Sequence, residues 1–208
     1  MKKNFLSCLC FALIASHPTT AQKPAGIYTF QRQEMVASFN FSEDGSFEFF
    51  YAYGAVDRNA SGTFSISGDT VKLHSAKEPG KDFAINKQSK KGTGYTIQAT
   101  APNPYLLKHI LAIVKFNGEQ KYFESDDDGI IKIDMPQCDT IYLQHTLFPD
   151  VLTLIKSAGN ENNRFDVGLN PSLAQVSFKG IDLVMDGDEL KCPSNYFMPV
   201  ENIRFIKE

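Results

Sequence analysis

Apolar residues alternate with polar or small ones over residues 39–73, and turn signals at Asp44-Gly45 and Gly68-Asp69 mark reversals of the chain. The alternating apolar positions are Phe39, Phe41, Phe47, Phe49, Tyr51, Tyr53, Phe64, Ile66, Val71 and Leu73. A period of two with a turn at each reversal is typical of an antiparallel meander in which one face is buried. We therefore predict an antiparallel β-sheet with an aromatic inner face in this part of the chain.

The aromatic pattern also predicts how the first two strands of the meander are aligned. A three-residue loop over residues 43–45 pairs Phe41 with Phe47. The same register places Phe39 opposite Phe49, whereas a two-residue loop would place a charged side chain opposite Phe41. The longer loop is a type I turn that ends with a glycine in the left-handed region, where the missing Cβ avoids a clash.

The next hairpin has the opposite preference for loop length. A two-residue loop of Gly68-Asp69 pairs Ile66 with Val71. It also places Phe64 opposite Leu73, so that the apolar face of the sheet continues across the turn. A leading glycine is typical of the type II′ turn that such short loops adopt.

Short apolar runs between turn signals continue over the rest of the chain. They cover residues 26–30, 34–40, 81–85, 94–99, 110–116, 121–124, 130–134, 140–144, 151–155, 165–169, 174–178, 181–185 and 202–206. The two prolines of Ala101-Pro102-Asn103-Pro104 interrupt hydrogen-bond ladders, so this segment is the predicted domain boundary. The predicted fold class is all-β. An aromatic-rich antiparallel meander over residues 23–100 forms an open barrel or curled sheet, and a β-sandwich follows over residues 105–208.

The first residues have the features of a secretory signal. Lys2 and Lys3 precede an apolar run over residues 5–15, and Thr19-Thr20-Ala21 supplies the small residues of a cleavage site. We therefore predict a signal peptide over residues 1–22 and export to the periplasm or the extracellular space. The apolar run is shorter than the roughly 18 residues of a membrane span, and no later run is longer, so the mature chain is not predicted to span a membrane.

The charge of the chain excludes one class of partner. The formal net charge is −3, and it becomes −5 when Lys2 and Lys3 are removed with the signal. Acidic and basic residues are interspersed, without the basic stripe that binding to nucleic acid requires. An envelope protein or a surface component is therefore the expected partner, and the oligomeric state is left open.

The segment from Tyr122 to Asp150 resembles the middle of a transthyretin-like or carboxypeptidase-regulatory-like β-sandwich. The matching residues are Ser125, Asp126, Gly129, Ile131, Ile133, Ile141 and Leu143. In that family a strand, a Thr/Ser-Asp-x-x-Gly turn and two apolar strands follow one another. The resemblance implies a structural or interaction module without catalytic residues of its own.

The N-terminal part is similar to an uncharacterised group of exported bacterial two-domain β proteins. The shared motifs are Gly-x-Tyr at 26–28, Asp-Gly-x-Phe at 44–47, Tyr-Gly-Ala-x-Asp at 53–57, Gly-Thr-aromatic at 62–64 and Gly-Asp-x-Val-x-Leu at 68–73. This resemblance implies export and a β fold, and it brings no activity with it.

Cys138 and Cys192 are the only cysteines that remain after removal of the signal. An even pair in an exported chain suggests a disulfide, which would stabilise the fold by ~4 kcal/mol through the entropy of the loop that it closes. Two buried thiols are the alternative, and the sequence leaves both open. A metal site is not expected from two isolated cysteines.

The acidic run from Glu124 to Gly129 has two interpretations. Clustered carboxylates suit calcium, but the spacing of an EF-hand loop places Met135 where a bidentate glutamate is needed. Asp-Gly pairs commonly form turns, so a solvated hairpin turn is favoured and weak calcium binding stays a hypothesis. The histidines His74, His109 and His145 have no close ligand partner in the sequence. We therefore predict no metal site and no cofactor.

The stretch Tyr-Gly-Ala-Val-Asp-Arg-Asn at residues 53–59 is the most unusual in the chain. In one interpretation Asp57 shapes a wide loop and Arg58 pairs with a local acid. In the other, Tyr53, Asp57 and Arg58 form a binding site at the mouth of a barrel.

The sequence contains no Gly-x-Ser-x-Gly, His-Glu-x-x-His or phosphate-binding glycine motif. We predict a non-enzymatic exported protein that serves as a binding module in the cell envelope. The alternative is a lipocalin-like binder that holds a small apolar ligand inside the N-terminal domain, which requires a closed barrel. A hydrolase whose site is assembled from distant strands is the third possibility.

Overall fold

The computed structural model describes residues 23–208, and the all-β fold predicted from the sequence is confirmed. The strands are β1 (Gly26–Arg32), β2 (Met35–Phe41), β3 (Ser46–Tyr53), β4 (Val56–Ser67), β5 (Thr70–Ser75), β6 (Phe83–Ser89), β7 (Tyr95–Thr100), β8 (Ile110–Phe116), β9 (Glu119–Glu124), β10 (Ile130–Ile133), β11 (Thr140–His145), β12 (Thr153–Lys156), β13 (Arg164–Leu169), β14 (Asp182–Asp186), β15 (Glu189–Cys192) and β16 (Ile203–Lys207). Two short 3₁₀ helices cover Pro104–His109 and Pro171–Ala174. Within residues 23–208, no helix is both long and apolar enough to cross a membrane.

Eight strands form a closed antiparallel barrel in the order β1-β16-β15-β14-β5-β4-β3-β2. Strands β1 to β5 come from the aromatic meander and its leading strand, and β14 to β16 come from the C-terminal part of the chain. Closure depends on the pairing of β1 with β16, in which Tyr28 lies opposite Lys207.

The remaining eight strands form two four-stranded sheets, in the orders β10-β7-β13-β6 and β12-β11-β8-β9. Their inner faces share one apolar core, to which Ile97 and Val167 contribute from one sheet and Val114 and Leu143 from the other. All eight strands lie in the sequence between β5 and β14, so this sandwich is inserted into the barrel.

The division of the chain therefore differs from the predicted domains at residues 23–100 and 105–208. Strands β6 and β7 belong to the sandwich, and β14 to β16 belong to the barrel. The proline-rich segment at residues 101–104 does end a strand as predicted, but it connects the two sheets of the sandwich. Alternation along a strand shows which face is buried and says nothing about a partner strand far away in the sequence, which is why local pattern missed the insertion.

Both predicted registers of the meander are confirmed. Phe41 pairs with Phe47, and Phe39 pairs with Phe49. The loop between them is closed by the amide of Gly45, which donates to the carbonyl of Ser42 at 3.1 Å and has a φ of 89°.

The second hairpin also follows the prediction. Ile66 pairs with Val71, and Phe64 pairs with Leu73 across the Gly68-Asp69 turn. Gly68 has a φ of 64°, as the first position of a type II′ turn requires.

Residues 174–178, predicted as a strand, instead end a 3₁₀ helix and continue as an extended segment over residues 175–178, here called the return segment. Its backbone is attached to β4, because the amide of Val176 donates to the carbonyl of Asn59 at 2.9 Å. Phe178 has a φ of 52° and its ring packs against Phe39 and Phe49 in the barrel core, with centroids at 5.5 and 5.0 Å. The return segment therefore carries the chain from the sandwich back into the barrel.

Candidate functional site

A cluster of buried charged side chains lies where the barrel meets the sandwich. Its members, here called the junction network, are Arg58, Lys77, Asp82, Asp150 and Ser177. Arg58 comes from barrel strand β4, Lys77 and Asp82 from the connection to β6, Asp150 from the loop before β12 and Ser177 from the return segment. Each of them is at most 5% exposed, so the network lies out of contact with bulk water.

Lys77 is the cation that joins the two carboxylates of the network. Its Nζ lies 2.7 Å from Oδ1 of Asp82 and 3.0 Å from Oδ2 of Asp150. It also donates to the carbonyl oxygen of Gln175 at 2.8 Å. Burial raises the pKa of Asp82, and the hydrogen bond from Lys77 only partly opposes this.

Asp150 receives hydrogen bonds from three further donors. The Oγ of Ser177 donates to Oδ1 at 2.5 Å, and the backbone amide of Ser177 donates to Oδ2 at 2.9 Å. The amide of Val151 donates to Oδ1 at 2.7 Å. Burial alone would raise the pKa of Asp150, but the bonds from Ser177 and Lys77 outweigh it, so the pKa is lowered and the carboxylate is ionised.

Arg58 is held mainly by backbone oxygens from elements distant in the sequence. Nη1 donates to the carbonyl of Pro149 at 2.6 Å, and Nη2 donates to the carbonyl of Gln175 at 2.9 Å. Nη2 also lies 3.7 Å from Oδ2 of Asp150. Burial lowers the pKa of Arg58, and the charge of Asp150 opposes this. Within the described residues, the Nε atom of Arg58 has no hydrogen-bond partner although it is buried.

Strand alternation explains why an arginine is directed inward here. In β4 the residues at 58 and 60 are buried, and those at 57 and 59 are exposed. Arg58 therefore shares the inner face of the barrel with Tyr51, which lies opposite it on β3. Its guanidinium also lies over the ring of Phe197, 5.6 Å from the centroid, where a cation–π contact offsets part of the loss of water.

An open cleft of about 490 Å³ lies beside Arg58, and is here called the junction cleft. Its lining is mainly apolar and aromatic and comprises Tyr51, Tyr53, Ala55, Val56, Arg58, Thr146, Leu147, Pro149, Tyr196, Phe197 and Pro199. Tyr53 is 43% exposed at its edge. The barrel supplies one wall, and the sandwich loop before Asp150 supplies another.

The structure brings together two of the three binding residues predicted from the sequence. Tyr53 and Arg58 both line the junction cleft, whereas Asp57 is exposed on the outer face of β4 and is not part of the lining. Asp57 therefore lies apart from this cleft, and its outward direction follows from the period of two along the strand. The predicted local pairing of Arg58 is wrong, because its hydrogen bonds and its ion pair are with residues 149, 150 and 175.

Of the two alternatives that the sequence leaves open for Cys138 and Cys192, the disulfide is not formed. Both are free buried thiols, Cys138 in the core of the sandwich and Cys192 in the core of the barrel. The alternative of two buried thiols is thus the observed one. Burial raises the pKa of each thiol, that of Cys192 to about 12, so neither is reactive as a thiolate near neutral pH.

The acidic run at residues 124–129 forms the favoured turn. Oδ1 of Asp126 accepts hydrogen bonds from the amides of Asp128 at 3.1 Å and Ile130 at 2.8 Å. Ser125 donates its hydroxyl to the carbonyl of Leu107 at 2.7 Å. In residues 23–208 no group of three or more His, Cys, Asp or Glu residues is placed to hold a metal ion.

His145 lies directly before the cleft residues 146–147 and is fully buried. Its Nε2 donates to the carbonyl of Leu106 at 3.1 Å, and its Nδ1 is buried without a partner among the described residues. The pKa of His145 is lowered to about 4, mainly by burial and to a smaller extent by the charges of His109 and Arg58, against the opposing effect of the Leu106 bond.

This burial predicts a loss of stability in mild acid. The unfolded chain takes up a proton at His145 as the pH falls below about 6.5, whereas the folded chain stays neutral down to about 4. Stability is therefore complete above pH 6.5 and falls by about 3 kcal/mol as the pH drops to about 4. Urea unfolding of wild type and His145→Gln at several pH values measures this, and the variant is expected to show the smaller slope. His74→Gln, at an exposed histidine, is the control, and an equal slope in all three proteins would contradict the prediction.

Most members of the junction network were not predicted from the sequence as site residues. Lys77 and Asp150 lie in loops whose composition is ordinary, whereas Asp82 and Ser177 lie in the runs at residues 81–85 and 174–178 that were predicted as strands. Only the unusual stretch at residues 53–59, which contains Arg58, indicated a site, and it does not show which distant residues would meet. No family model, curated protein or solved structure was found to match the chain.

Proposed function

We propose that this protein is a non-enzymatic binding protein of the cell envelope, exported by its N-terminal signal, whose ligand occupies the junction cleft. The observation that carries the proposal is an aromatic cleft that Arg58 lines, together with the buried Nε–H of Arg58, which has no hydrogen-bond partner among the described residues. Ligand sites are typically mainly apolar concavities of roughly 300–1,000 Å³ with a few fixed polar groups, and this cleft has that character.

The lining suggests the chemistry of the ligand. Tyr53, Phe197 and Pro149 offer apolar and aromatic surface, so the ligand presents an apolar or aromatic group to them. The free N–H of Arg58 then requires one hydrogen-bond acceptor on the ligand, because an unpaired buried donor costs about 1–3 kcal/mol. The network pairs two cations with two carboxylates, so the acceptor can be neutral or anionic.

The rigidity of the site supports binding. Arg58 is fixed by two carbonyl oxygens and one carboxylate, and it lies with Tyr51 on paired strands of a closed barrel. A group held in one orientation loses little entropy when a ligand binds, so more of the contact energy becomes affinity.

The state of the nearby acids favours binding over catalysis. Asp82 and Asp150 are engaged by Lys77 and Ser177, are buried, and do not line the cleft. The hydroxyl proton of Ser177 is donated to Asp150, and the same serine lies 3.3 Å from the hydroxyl of Tyr196. Groups engaged in this way serve to hold the site in place, whereas a general base needs to reach a proton of the substrate.

The second candidate is the lipocalin-like binder with a ligand inside the barrel. A closed eight-stranded barrel is compatible with it, because barrels of this size hold one small ligand. The interior of this barrel is filled by aromatic rings, with Phe39 within 6.2 Å of the centroids of five others. A ligand there would have to displace rings, which favours the junction cleft.

Binding of 1-anilinonaphthalene-8-sulfonate tests the proposed site, since it joins aromatic rings to one anionic acceptor. We expect the folded protein to bind it and Tyr53→Ala to weaken binding by about tenfold, as loss of an aromatic anchor typically does. Tyr122→Ala removes a tyrosine that is 60% exposed on β9 and is the matched control. Fluorescence titration measures the affinities, and equal loss in both variants would refute the cleft as the site.

The natural ligand is sought by native mass spectrometry of protein exported through its own signal. Extra mass that is lost on denaturation, and that is reduced in Tyr53→Ala but not in Tyr122→Ala, identifies a ligand retained in the junction cleft. Retained mass that is unaffected by Tyr53→Ala would favour the barrel interior instead.

A further inference from the structure

A second cleft, which shares no lining residue with the junction cleft, opens in the sandwich, and a buried lysine lines it. Lys156, the last residue of β12, is 3% exposed. Its Nζ donates to the carbonyl oxygens of Cys138 at 3.0 Å, Ser157 at 3.3 Å and, more distantly, Asp139 at 3.5 Å. Among the described residues, no carboxylate oxygen lies within 4.0 Å of this ammonium group.

Lys77 shows how unusual that environment is. The two lysines are buried to nearly the same extent, yet Lys77 has two carboxylates within 3.0 Å and Lys156 has none within 4.0 Å. Carbonyl dipoles and the ring of Tyr95, 5.8 Å from Nζ, offset only part of the cost of removing a charge from water. The sandwich therefore carries a positive charge that lacks a counter-ion.

The cleft beside Lys156 has a volume of about 610 Å³. The two acids in its lining are already engaged, because Glu161 pairs with Lys90 at 2.8 Å and Asp139 accepts from the amide of Asn117 at 3.0 Å. The exposed side chains of Asn117 and Gln137 also line it, and the ring of Phe116 contributes an apolar surface.

We propose that this sandwich cleft binds a small hydroxylated carboxylate of the uronic acid class. The ligand's carboxylate supplies the counter-ion that Lys156 lacks. Its hydroxyl groups face the amides of Asn117 and Gln137, which can both donate and accept hydrogen bonds. One face of its sugar ring lies against Phe116. This site involves no residue of the junction network and does not depend on the function proposed for the junction cleft.

A lysine that binds a ligand and a lysine that stabilises the fold respond differently to loss of the charge. Lys156→Met keeps the length and apolar stem of the side chain and removes the charge that lacks a partner. Removing an unpaired buried charge also removes the cost of its burial, which offsets the loss of the hydrogen bonds to the carbonyls of Cys138 and Ser157. We therefore expect Lys156→Met to stay folded while losing the ligand.

Isothermal titration calorimetry at low ionic strength tests the assignment with D-glucuronate and D-galacturonate. We expect at least one uronate to bind the wild type and Lys156→Met to weaken it at least about tenfold, as is typical for loss of a hydrogen bond to a charged group. Lys90→Gln is the matched control, because Lys90 lines the same cleft but is exposed and paired with Glu161. It is expected to change the affinity less than about threefold.

Each other outcome overturns part or all of the proposal. Absence of binding by both uronates at millimolar concentration, or equal affinity in the wild type and Lys156→Met, refutes the site. Glucose binding as tightly as glucuronate refutes the role of the charge, and acetate binding as tightly refutes the role of the hydroxyl groups. If Lys156→Met and Lys156→Gln both unfold, Lys156 is structural and the proposal fails.

Discussion

Replacing Asp150 with alanine is expected to lower the free energy of unfolding by about 3–5 kcal/mol, which is the usual cost of breaking a buried ion pair. The change removes the carboxylate that lies within 4.0 Å of both Lys77 and Arg58. It also leaves the hydroxyl and amide of Ser177 without their acceptors. Two buried cations then share the single remaining carboxylate of Asp82.

Urea unfolding followed by circular dichroism measures this loss as a shift of the midpoint at constant slope. Asp134→Ala is the matched control, because Asp134 is exposed in a loop of the sandwich, and its effect is expected to stay within about 0.5 kcal/mol. A loss below about 1 kcal/mol in Asp150→Ala would show that the network contributes little. The double variant with Lys77→Met is expected to be less destabilised than the sum of the two single changes, because it removes both charges of one pair.

The acid dependence of the same variant supplies a second test. The pKa of Asp150 is lowered in the folded protein, so its contribution is complete above the ordinary carboxyl pKa of about 4 and is lost as the pH falls below it. Asp150→Ala is therefore expected to lose less stability than the wild type between pH 4 and pH 2. A parallel loss in the two proteins would contradict the ionised state assigned to Asp150.

The junction network also fixes the geometry of the junction cleft. Arg58 and Pro149, which both line the junction cleft, are joined by the 2.6 Å hydrogen bond of the guanidinium to the carbonyl. The same polar cluster therefore fixes the wall from the barrel relative to the wall from the sandwich. Buried ion pairs add little net stability compared with apolar residues packed in their place. Orientation of the two walls of the cleft is therefore a reason for these charged residues to be present.

Local strand structure in this chain could be predicted from sequence because it depends on neighbouring residues. The pairing of Phe41 with Phe47 and of Ile66 with Val71 follows from alternation and from the turn residues between the strands. A slip of one residue would expose the whole aromatic face, so the energetic preference for one register is large.

The closure of the barrel could not be predicted in this way. Strand β16 alternates in the same manner whether it pairs with β1 or with a strand of the sandwich. The strands β6 to β13, which lie between β5 and β14 in the sequence, form a core of their own. Most residues of the candidate site could not be predicted either, because they are brought together from distant parts of the sequence. Tyr53 and Arg58 were identified because their stretch of sequence is unusual, whereas Lys77, Asp150 and Lys156 acquire their roles only from loops that meet in the fold.

Phe39→Ala is expected to destabilise the protein by about 3–5 kcal/mol, the range typical of truncating a buried phenylalanine. Phe39 is 1% exposed, and its ring lies 4.6 Å from that of Phe49 and 4.9 Å from that of Phe205. It also packs on Phe178 at 5.5 Å. One side chain thus joins the meander, the return segment and the last strand, and its loss weakens the contacts that close the barrel.

Phe50→Ala is the matched control, because Phe50 lies on β3, the strand paired with that of Phe39, but faces outward and is 45% exposed. Its effect on the urea midpoint is expected to be below about 1 kcal/mol. An equal effect of the two changes would contradict the close packing of the barrel interior.

The cavity left by Phe39→Ala also separates the two candidate binding sites. A dry apolar cavity of this kind binds small apolar molecules, so benzene is expected to raise the melting temperature of Phe39→Ala and to leave that of the wild type unchanged. Equal stabilisation of the wild type would mean that the barrel already has space for an apolar ligand. The barrel interior would then be favoured over the junction cleft as the binding site, because the rings around Phe39 would not exclude a ligand from the interior.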